Sequence, residues 1–413
     1  MAFQIGFGHI DLTPPLPFPL AGVVTPGGRT AGRVRDPLLA HAMAASDGER
    51  TVCLVSADLL TFHGAFTAAI VDRLRAAEIR FDALLLAATH THSGPGGYWD
   101  MPSAESFMGH YDAALFARLA DGVATAAQRA ADDLQPARLS LGFQSGAGLN
   151  WNRRHPAGAV DDTVGVLLVD RDDGRHRVVS FGAHPVVVSE RETLAASADF
   201  PGEVVRALSD DGSHAMYVSG PVGGQSPLWP AHIRDTETHL RLLREGLLCR
   251  IREAETNASE VSVTRVSGAT VTRRLSLQTP LLFPSRWWPL DTALLPVRLW
   301  LRRFVGRGVG RRPLAPVTVL RLGDAVIAGF PADMGADVSR AVRAAALRRG
   351  LRLFVAASHS NDFVGYVHLP DAYELPPQRG EDYAALTVYE NGMAACGREV
   401  GTGFVEQFHA GLA

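Results

Sequence analysis

The sequence predicts an α/β fold, mixed α+β in detail, with a central mixed β-sheet flanked by helices in a single large domain. Three observations carry this. Short apolar runs of strand length, such as Ala83-Leu84-Leu85-Leu86-Ala87-Ala88, alternate along the chain with longer segments of helical periodicity. Turn signals at Asp172-Asp173-Gly174 and Gly323-Asp324 separate paired apolar runs, so hairpins are mixed with strand–helix–strand units. The 413 residues are 46% hydrophobic and 20% charged, the balance of a globular protein able to bury a large core.

Taken in order, Phe3 to Thr13 alternates loosely and reads as a strand, stopped by Pro14, Pro15 and Pro17, and the opening to residue 60 is strand-rich. Thr51-Val52-Cys53-Leu54-Val55-Ser56 is a second strand, of the buried type. Ala65 to Ala77 has helical spacing and leads into the strand at 83–88. Tyr111 to Asp133 is alanine-rich, favours helix, and ends before Pro136. Val164 to Val169 and Arg177 to Phe181 form a hairpin. Residues 238–255 make another helix, Val317 to Phe330 two strands, and Asp337 to Arg349 a helix. No repeat at a fixed period and no low-complexity linker is visible, which predicts one domain over 1–413.

The formal net charge of −3 gives no electrostatic case for nucleic acid as a partner. Cys53, Cys249 and Cys396 are too few and scattered for a disulfide framework or a cysteine zinc site, and each reads as a buried small apolar residue. Met1 to Gly6 lacks a charged segment leading into an apolar stretch, and no run has the ~20 residues of a membrane span, so a cytoplasmic protein is expected.

Leu281 to Arg312 stands apart. Trp287, Trp288, Leu294, Trp300 and Phe304 interleave there with Arg286, Arg298, Arg302 and Arg303. The pattern fits an amphipathic helix packed on the core, a lid over an apolar pocket, or a peripheral contact with a lipid surface. Pro284, Pro289 and Pro296 shorten any helix and argue against stable membrane insertion.

The strand at 83–88 runs into Thr89-His90-Thr91-His92-Ser93-Gly94-Pro95-Gly96-Gly97-Tyr98. Side chains alternate along a strand, so His90 and His92 leave its end on one face, a natural start for a metal site. The spacing of two histidines alone is equally an ordinary strand-end feature. The full ten-residue string is more particular: it resembles the signature of the neutral, non-lysosomal ceramidases, which are zinc-dependent amidases. That resemblance implies a catalytic α/β domain, one Zn²⁺ per chain and a small-molecule N-acyl substrate with an apolar chain. It also implies a C-terminal immunoglobulin-like domain, and this sequence is expected to lack one.

Further motifs follow in the family's order. Phe181-Gly182-Ala183-His184-Pro185 is similar to its second zinc-binding stretch and makes His184 a ligand beside His90; a residue before proline is held extended. Ala328-Gly329-Phe330-Pro331-Ala332-Asp333 stands where the family has Pro-Gly-Glu, so Asp333 replaces a glutamate ligand with a shorter acid. Asp333 also reads as an N-cap for the following helix. Asn361-Asp362-Phe363-Val364-Gly365-Tyr366-Val367 resembles Asn-x-x-x-Gly-Tyr-Val, which makes Tyr366 a phenolic ligand. Val388-Tyr389-Glu390 resembles Tyr-Glu and makes Tyr389 a hydrogen-bond donor to substrate, while Pro376 to Gly380 lengthens the loop before it.

Asn152-Arg153 resembles the family's Asn-Arg-Ser, whose arginine contacts the substrate carbonyl or product carboxylate; Arg154 stands in the serine's place, so Arg153 and Arg154 compete for that role. Gly223-Gly224-Gln225-Ser226-Pro227 falls on Gly-Asp-Val-Ser-Pro-Asn, making Ser226 a functional candidate, with Gly224 and Leu228 as departures. Asp199 could orient a ligand from behind. Gly22 could let backbone approach the substrate, or be a turn glycine.

An amide is a poor electrophile with a poor leaving group. Its hydrolysis needs a nucleophile, a place for the oxyanion and a proton for the amine. Zinc with an open position supplies the first by lowering the pKa of bound water from about 15.7 to about 7. His92, beyond His90 on the same face, is then the candidate for proton transfer, and Arg153 and Tyr389 for the oxyanion or carboxylate. The expected function is zinc-dependent cleavage of an N-acyl amide, ceramide or a ceramide-like lipid. The same machinery would serve another acyl amide or ester, such as an acylated amino sugar or a secondary metabolite. A non-catalytic zinc-binding protein is the third reading.

Overall fold

The computed structural model describes residues 2–101, 104–209, 212–230, 233–277, 313–374 and 389–413. The lid-like segment at 281–312 and the loop at 376–380 lie outside them. One succession of elements occurs three times. In the first, β1 (Gln4–Asp11), β2 (Leu39–Ser46) and β3 (Thr51–Ala57) form an antiparallel meander. Helix α1 (Gly64–Ala76) crosses to β4 (Ala83–Ala88), parallel to β3, and α2 (Ala113–Asp132) returns over β1 and β2.

The second unit has β5 (Arg138–Ser145), β6 (Thr163–Arg171), β7 (Gly174–Phe181), α3 (Asp199–Leu208), β8 (Ala215–Ser219) and α4 (Thr236–Thr256) in the same roles. The third has β9 (Val266–Arg274), β10 (Leu314–Leu322), β11 (Ala325–Gly329), α5 (Ala336–Leu347), β12 (Arg352–Ala357) and α6 (Val400–Gly411). The four strands run β4-β3-β2-β1, β8-β7-β6-β5 and β12-β11-β10-β9, the same order in all three, and the first two sheets add a short fifth strand, Gln135–Pro136 beside β1 and Ser259–Val261 beside β5. The mixed α/β architecture expected from the sequence is present, divided over three mixed sheets instead of one. No fixed period reveals the repeat, because the segments joining the first two strands of each unit, 12–38, 146–162 and 275–313, differ so much in length.

Strand periodicity sorts the core into layers. Leu54, Leu85, Leu167, Val178, Ile327 and Val355, from all three sheets, meet in one inner cluster. Their neighbours turn outward under the helices: Val55 and Leu86 against Phe66 and Leu119, Val166 and Val179 against Val204 and Leu247, Val326 against Val342 and Phe404. Each such side chain contributes about 1.5–3 kcal/mol on full burial. Cys53 and Cys396 are buried as expected; Cys249 instead lies exposed on α4, whose apolar face is carried by Leu240, Leu243, Leu247 and Ile251. No helix among the described residues is long and apolar enough to cross a membrane.

Candidate metal centre and active site

The third and fourth strands of each unit are parallel, so their C-terminal ends lie side by side, the place where open α/β sheets present ligand-binding loops. His90 follows β4, His184 follows β7, Asp333 follows β11 and His359 follows β12. His90 and His359 occupy equivalent positions, each two residues past its strand. Both have left-handed backbone, φ 67° and 52°, which is uncommon for a non-glycine residue and turns the side chain back across the strand ends. Asp333 is fixed by a two-residue parallel pairing of Asp333–Met334 with Tyr366–Val367, which brings Tyr366 beside it.

These side chains converge. Asp333 Oδ1 lies 3.0 Å from His359 Nε2, 3.4 Å from His90 Nε2 and 3.6 Å from His184 Nε2. His92 Nε2 is 3.2 Å from His90 Nε2, and the Tyr366 hydroxyl 3.3 Å from His184 Nε2. Backbone carbonyls fix the tautomers: His90 Nδ1 lies 2.8 Å from the Leu60 oxygen and His184 Nδ1 3.0 Å from the Gln225 oxygen. A carbonyl only accepts, so each Nδ1 carries the proton and each Nε2 turns a lone pair toward the Asp333 carboxylate. Burial, with His359 as neighbour, pushes the His90 pKa down to about 3, so the ring is neutral. Neutral imidazole lone pairs facing a carboxylate oxygen need a cation between them. Donors about 2.0–2.2 Å from a tetrahedral zinc stand about 3.3–3.6 Å apart, close to the separations here. The residues fit a zinc ion.

Asp333 therefore does not cap the helix after it. The N-cap of α5 is Gly335, without a side-chain cap bond, and the Asp333 carboxyl faces the histidines. Burial raises that carboxyl to about 6, opposed by His90 and Arg153.

Arg153 lines the other side of the cluster. Its Nη2 donates to the Tyr366 hydroxyl at 2.9 Å and sits 3.1 Å from His184 Nε2, while its Nε donates to Glu390 Oε1 at 2.8 Å. Burial works against this cation, but Tyr366 and Glu390 outweigh it and hold the guanidinium charged. Glu390 is fully buried; burial opposes its charge, yet Arg153, His368 and Arg154 hold it at about 2. Behind it His368 bridges Glu390 at 3.5 Å and Asp337 at 3.2 Å. Arg154 instead reaches Asn391 Oδ1 at 2.7 Å and the other Glu390 oxygen, Oε2, at 3.3 Å. Arg153 thus holds the position for which the two arginines competed.

Gly22 approaches His92. With φ at 102° and an added Cβ only 2.7 Å from His92 Cα, that position demands glycine twice over. Arg29 Nη2 then donates to the carbonyls of both Ala21 and His92, each at 2.5 Å. What Gly22 admits is therefore the backbone of His92.

Other candidates fall further out. Tyr389 is 38% exposed, its ring 5.8 Å from that of Tyr366 at the rim of the cluster. Ser226 pairs with Trp151 in a short antiparallel ladder; its neighbour Gln225 is fully buried and supplies the carbonyl that orients His184. Asp199 accepts from the Val188 and Phe200 amides, so it steadies the chain beyond His184 without touching the imidazole. Three participants escaped sequence reasoning: His359, Glu390 and His368. Nothing in the spacing of His359 or His368 singles them out, whereas Glu390 stood next to a chosen tyrosine.

Residues 3–161 match the family described as "Neutral/alkaline non-lysosomal ceramidase, N-terminal". The "Neutral ceramidase" of Mycobacterium tuberculosis is 29% identical over 188 residues, 40% of this chain and 29% of that protein. The "Neutral ceramidase" of Pseudomonas aeruginosa is 29% identical over 158 residues, 37% of this chain and 24% of that one. The matches thus span less than a third of either curated relative. The crystal structure of the Pseudomonas aeruginosa protein superposes with a TM-score of 0.80 at 20% identity, covering 99% of this chain and 73% of that one. A ceramidase "complexed with C2" gives 0.79 over 99% and 74%. Residues 3–161, less than half of the chain, thus match the neutral/alkaline non-lysosomal ceramidase family, and the fold of the whole described chain is that of the solved ceramidases.

Proposed function

We propose that this protein is a zinc-dependent amidohydrolase that cleaves the acyl amide bond of ceramide or a ceramide-like N-acyl lipid. The observation that carries the reading is a buried set of imidazole lone pairs facing one carboxylate oxygen, with a charged arginine along its edge. His90, His184 and Asp333 would hold one Zn²⁺, with the Tyr366 hydroxyl in reach as a further ligand. Zinc bound there supplies a water acidified toward neutral pH and a Lewis acid for the acyl carbonyl. His92, its neutral Nε2 beside the His90 ring, takes up a proton at Nε2 and returns it to the departing amine. Arg153, aimed by Glu390, offers Nη2 to the oxyanion and then to the product carboxylate, an arrangement worth several kcal/mol when preorganised. Tyr389, at the exposed rim, donates to the polar head of the substrate.

The test is metal content together with released fatty acid from ceramides, N-acyl amino sugars and acyl esters. One zinc per chain and turnover of ceramides best of all is the expected result. Preference for an acylated sugar or an ester moves the substrate and leaves the site intact. Bound zinc with no turnover on any acyl compound overturns the enzymatic reading.

A further inference from the structure

The structure places a third imidazole on the carboxylate where the family pattern supplies only two, and we propose that His359 is itself a ligand of the zinc. This rests on the metal-site reading above. His359 is the counterpart of His90 in the third unit, two residues past the crossover strand and with the same left-handed turn. The two rings lie stacked, centroids 3.8 Å apart and planes 12° from parallel, and a donor nitrogen of each stands within 4.8 Å of the other and of the Asp333 carboxylate. His359 is fully buried, with Nε2 3.0 Å from Asp333 Oδ1.

The hydrogen-bond chain behind it sets its tautomer. Thr61 Oγ1 donates to the Phe62 carbonyl at 3.0 Å, which uses the hydroxyl proton. The same oxygen lies 3.1 Å from His359 Nδ1 and is left to accept there, so Nδ1 carries the ring proton. Nε2 then turns a lone pair onto a carboxylate oxygen, as His90 and His184 do. Had His359 served only to steer Asp333, the proton would lie on Nε2 and the threonine hydroxyl would have to turn from the Phe62 carbonyl.

The shorter acid gives this ligand its reason. Aspartate in place of glutamate holds its carboxylate nearer the β11 backbone, and β12, the strand paired with β11, leads two residues on into His359. An ion drawn toward Asp333 comes within reach of that imidazole. With His359 in the place that Tyr366 would otherwise fill, three imidazoles and one carboxylate leave zinc a fifth position for water, a coordination number that zinc enzymes reach.

The wild-type protein crystallised with Zn²⁺ and located by zinc anomalous scattering should show His359 Nε2 at about 2.0–2.2 Å from the ion, with His90, His184 and Asp333. His359→Gln should lose one imidazole from the zinc X-ray absorption spectrum and weaken zinc by more than about 100-fold, beyond the usual cost of a supporting residue. Zinc held by His90, His184 and Asp333 with His359 Nε2 beyond 3 Å overturns this inference alone, as does an unchanged imidazole number in His359→Gln. A wild-type protein that takes up no zinc overturns the metal-site reading beneath it. The wild-type structure decides even if the variant fails to fold.

Discussion

The first and third units end their crossover strands in the same device; the second does not. Past β4 and β12 the chain turns left-handed at His90 and His359 and sends an imidazole inward. Past β8 it continues as Gly220-Pro221, and the last residue of the strand, Ser219, donates its hydroxyl to the Thr89 carbonyl at 2.7 Å. Its own carbonyl takes the Ser358 amide at 3.4 Å. The second unit thus uses its crossover strand to brace the histidine loops of the other two, and delivers its donor, His184, from the neighbouring strand β7. Three copies of one topology have divided the labour: two supply donors at the crossover, one holds those donors in place. The lesson is that the fold fixes where a ligand can stand, and sequence decides which of those positions are filled.

The comparison breaks first at the donors. If the second unit contributes through β7 as directly as the first does through β4, His184→Ala and His90→Ala should be equivalent. Each should empty the site of zinc and lower turnover by at least about 10³-fold, since groups acting as one unit fail together. His92→Ala should keep its zinc and lose turnover to a similar degree. Zinc content by elemental analysis, beside single-substrate kinetics, checks all three. A zinc-free His92→Ala protein would make His92 a ligand too, which its 3.2 Å approach to His90 Nε2 allows.

Next comes the support behind Arg153, supplied from the third unit between β12 and α6. Glu390→Gln keeps the shape but removes the only carboxylate paired with that buried guanidinium among the described residues. Turnover should fall by about 10²-fold through loss of aim at the oxyanion. Folding stability should fall by about 1–3 kcal/mol, below the full cost of an orphaned buried charge because the amide oxygen still accepts. Zinc content should not change. Thermal unfolding of the zinc-loaded protein and kcat together separate this from ligand loss.

Much of this was legible beforehand, for reasons that can be named. The strands at 51–57 and 83–88, the hairpin at 163–181 and the helices at 113–132 and 236–256 announce themselves because one face or both are buried at the right period. α3 was not, since Asp199-Phe200-Pro201 opens it with a proline and a left-handed residue. The threefold plan was invisible because it lives in pairing order and not in spacing. At the site, His90, His184, Asp333, Arg153 and Tyr366 came from short strings, each anchored at a strand end. His359 could not, because its claim rests on meeting Asp333 in space, 26 residues away in the chain.

Gly22→Ala tests how tightly the first unit grips His92. The new Cβ would stand 2.7 Å from His92 Cα with φ at 102°, and backbone atoms cannot yield as a side-chain tip can. A cost of about 1–3 kcal/mol in stability is expected for such a strained residue. Turnover should drop by about tenfold to 10²-fold as His92 moves, with zinc retained, since small displacements of a reacting group are costly. Retained activity with lowered stability would show that His92 tolerates the shift and that glycine serves the turn alone.

The smallest expected effect sharpens the contrast within the second unit. Ser226 and Gln225 are adjacent in the short ladder opposite Trp151 and Asn152, so their side chains leave on opposite faces. Gln225 spends its amide on the Gly182 and Pro221 carbonyls and accepts the Asp161 amide, while its backbone oxygen orients His184. Ser226 is only part-buried and faces away from that network. Ser226→Ala should therefore change stability by less than about 0.5 kcal/mol, the usual range for a residue outside such features, and leave turnover within about twofold. Gln225→Ala leaves the Gly182 carbonyl its Asn150 Nδ2 donor but strands two backbone partners, the Pro221 carbonyl and the Asp161 amide, each costing about 1–3 kcal/mol when unsatisfied, and should loosen zinc through His184. If Ser226→Ala proves the more damaging of the two, the serine reaches the substrate, and the second unit acts at the reaction centre as well as behind it.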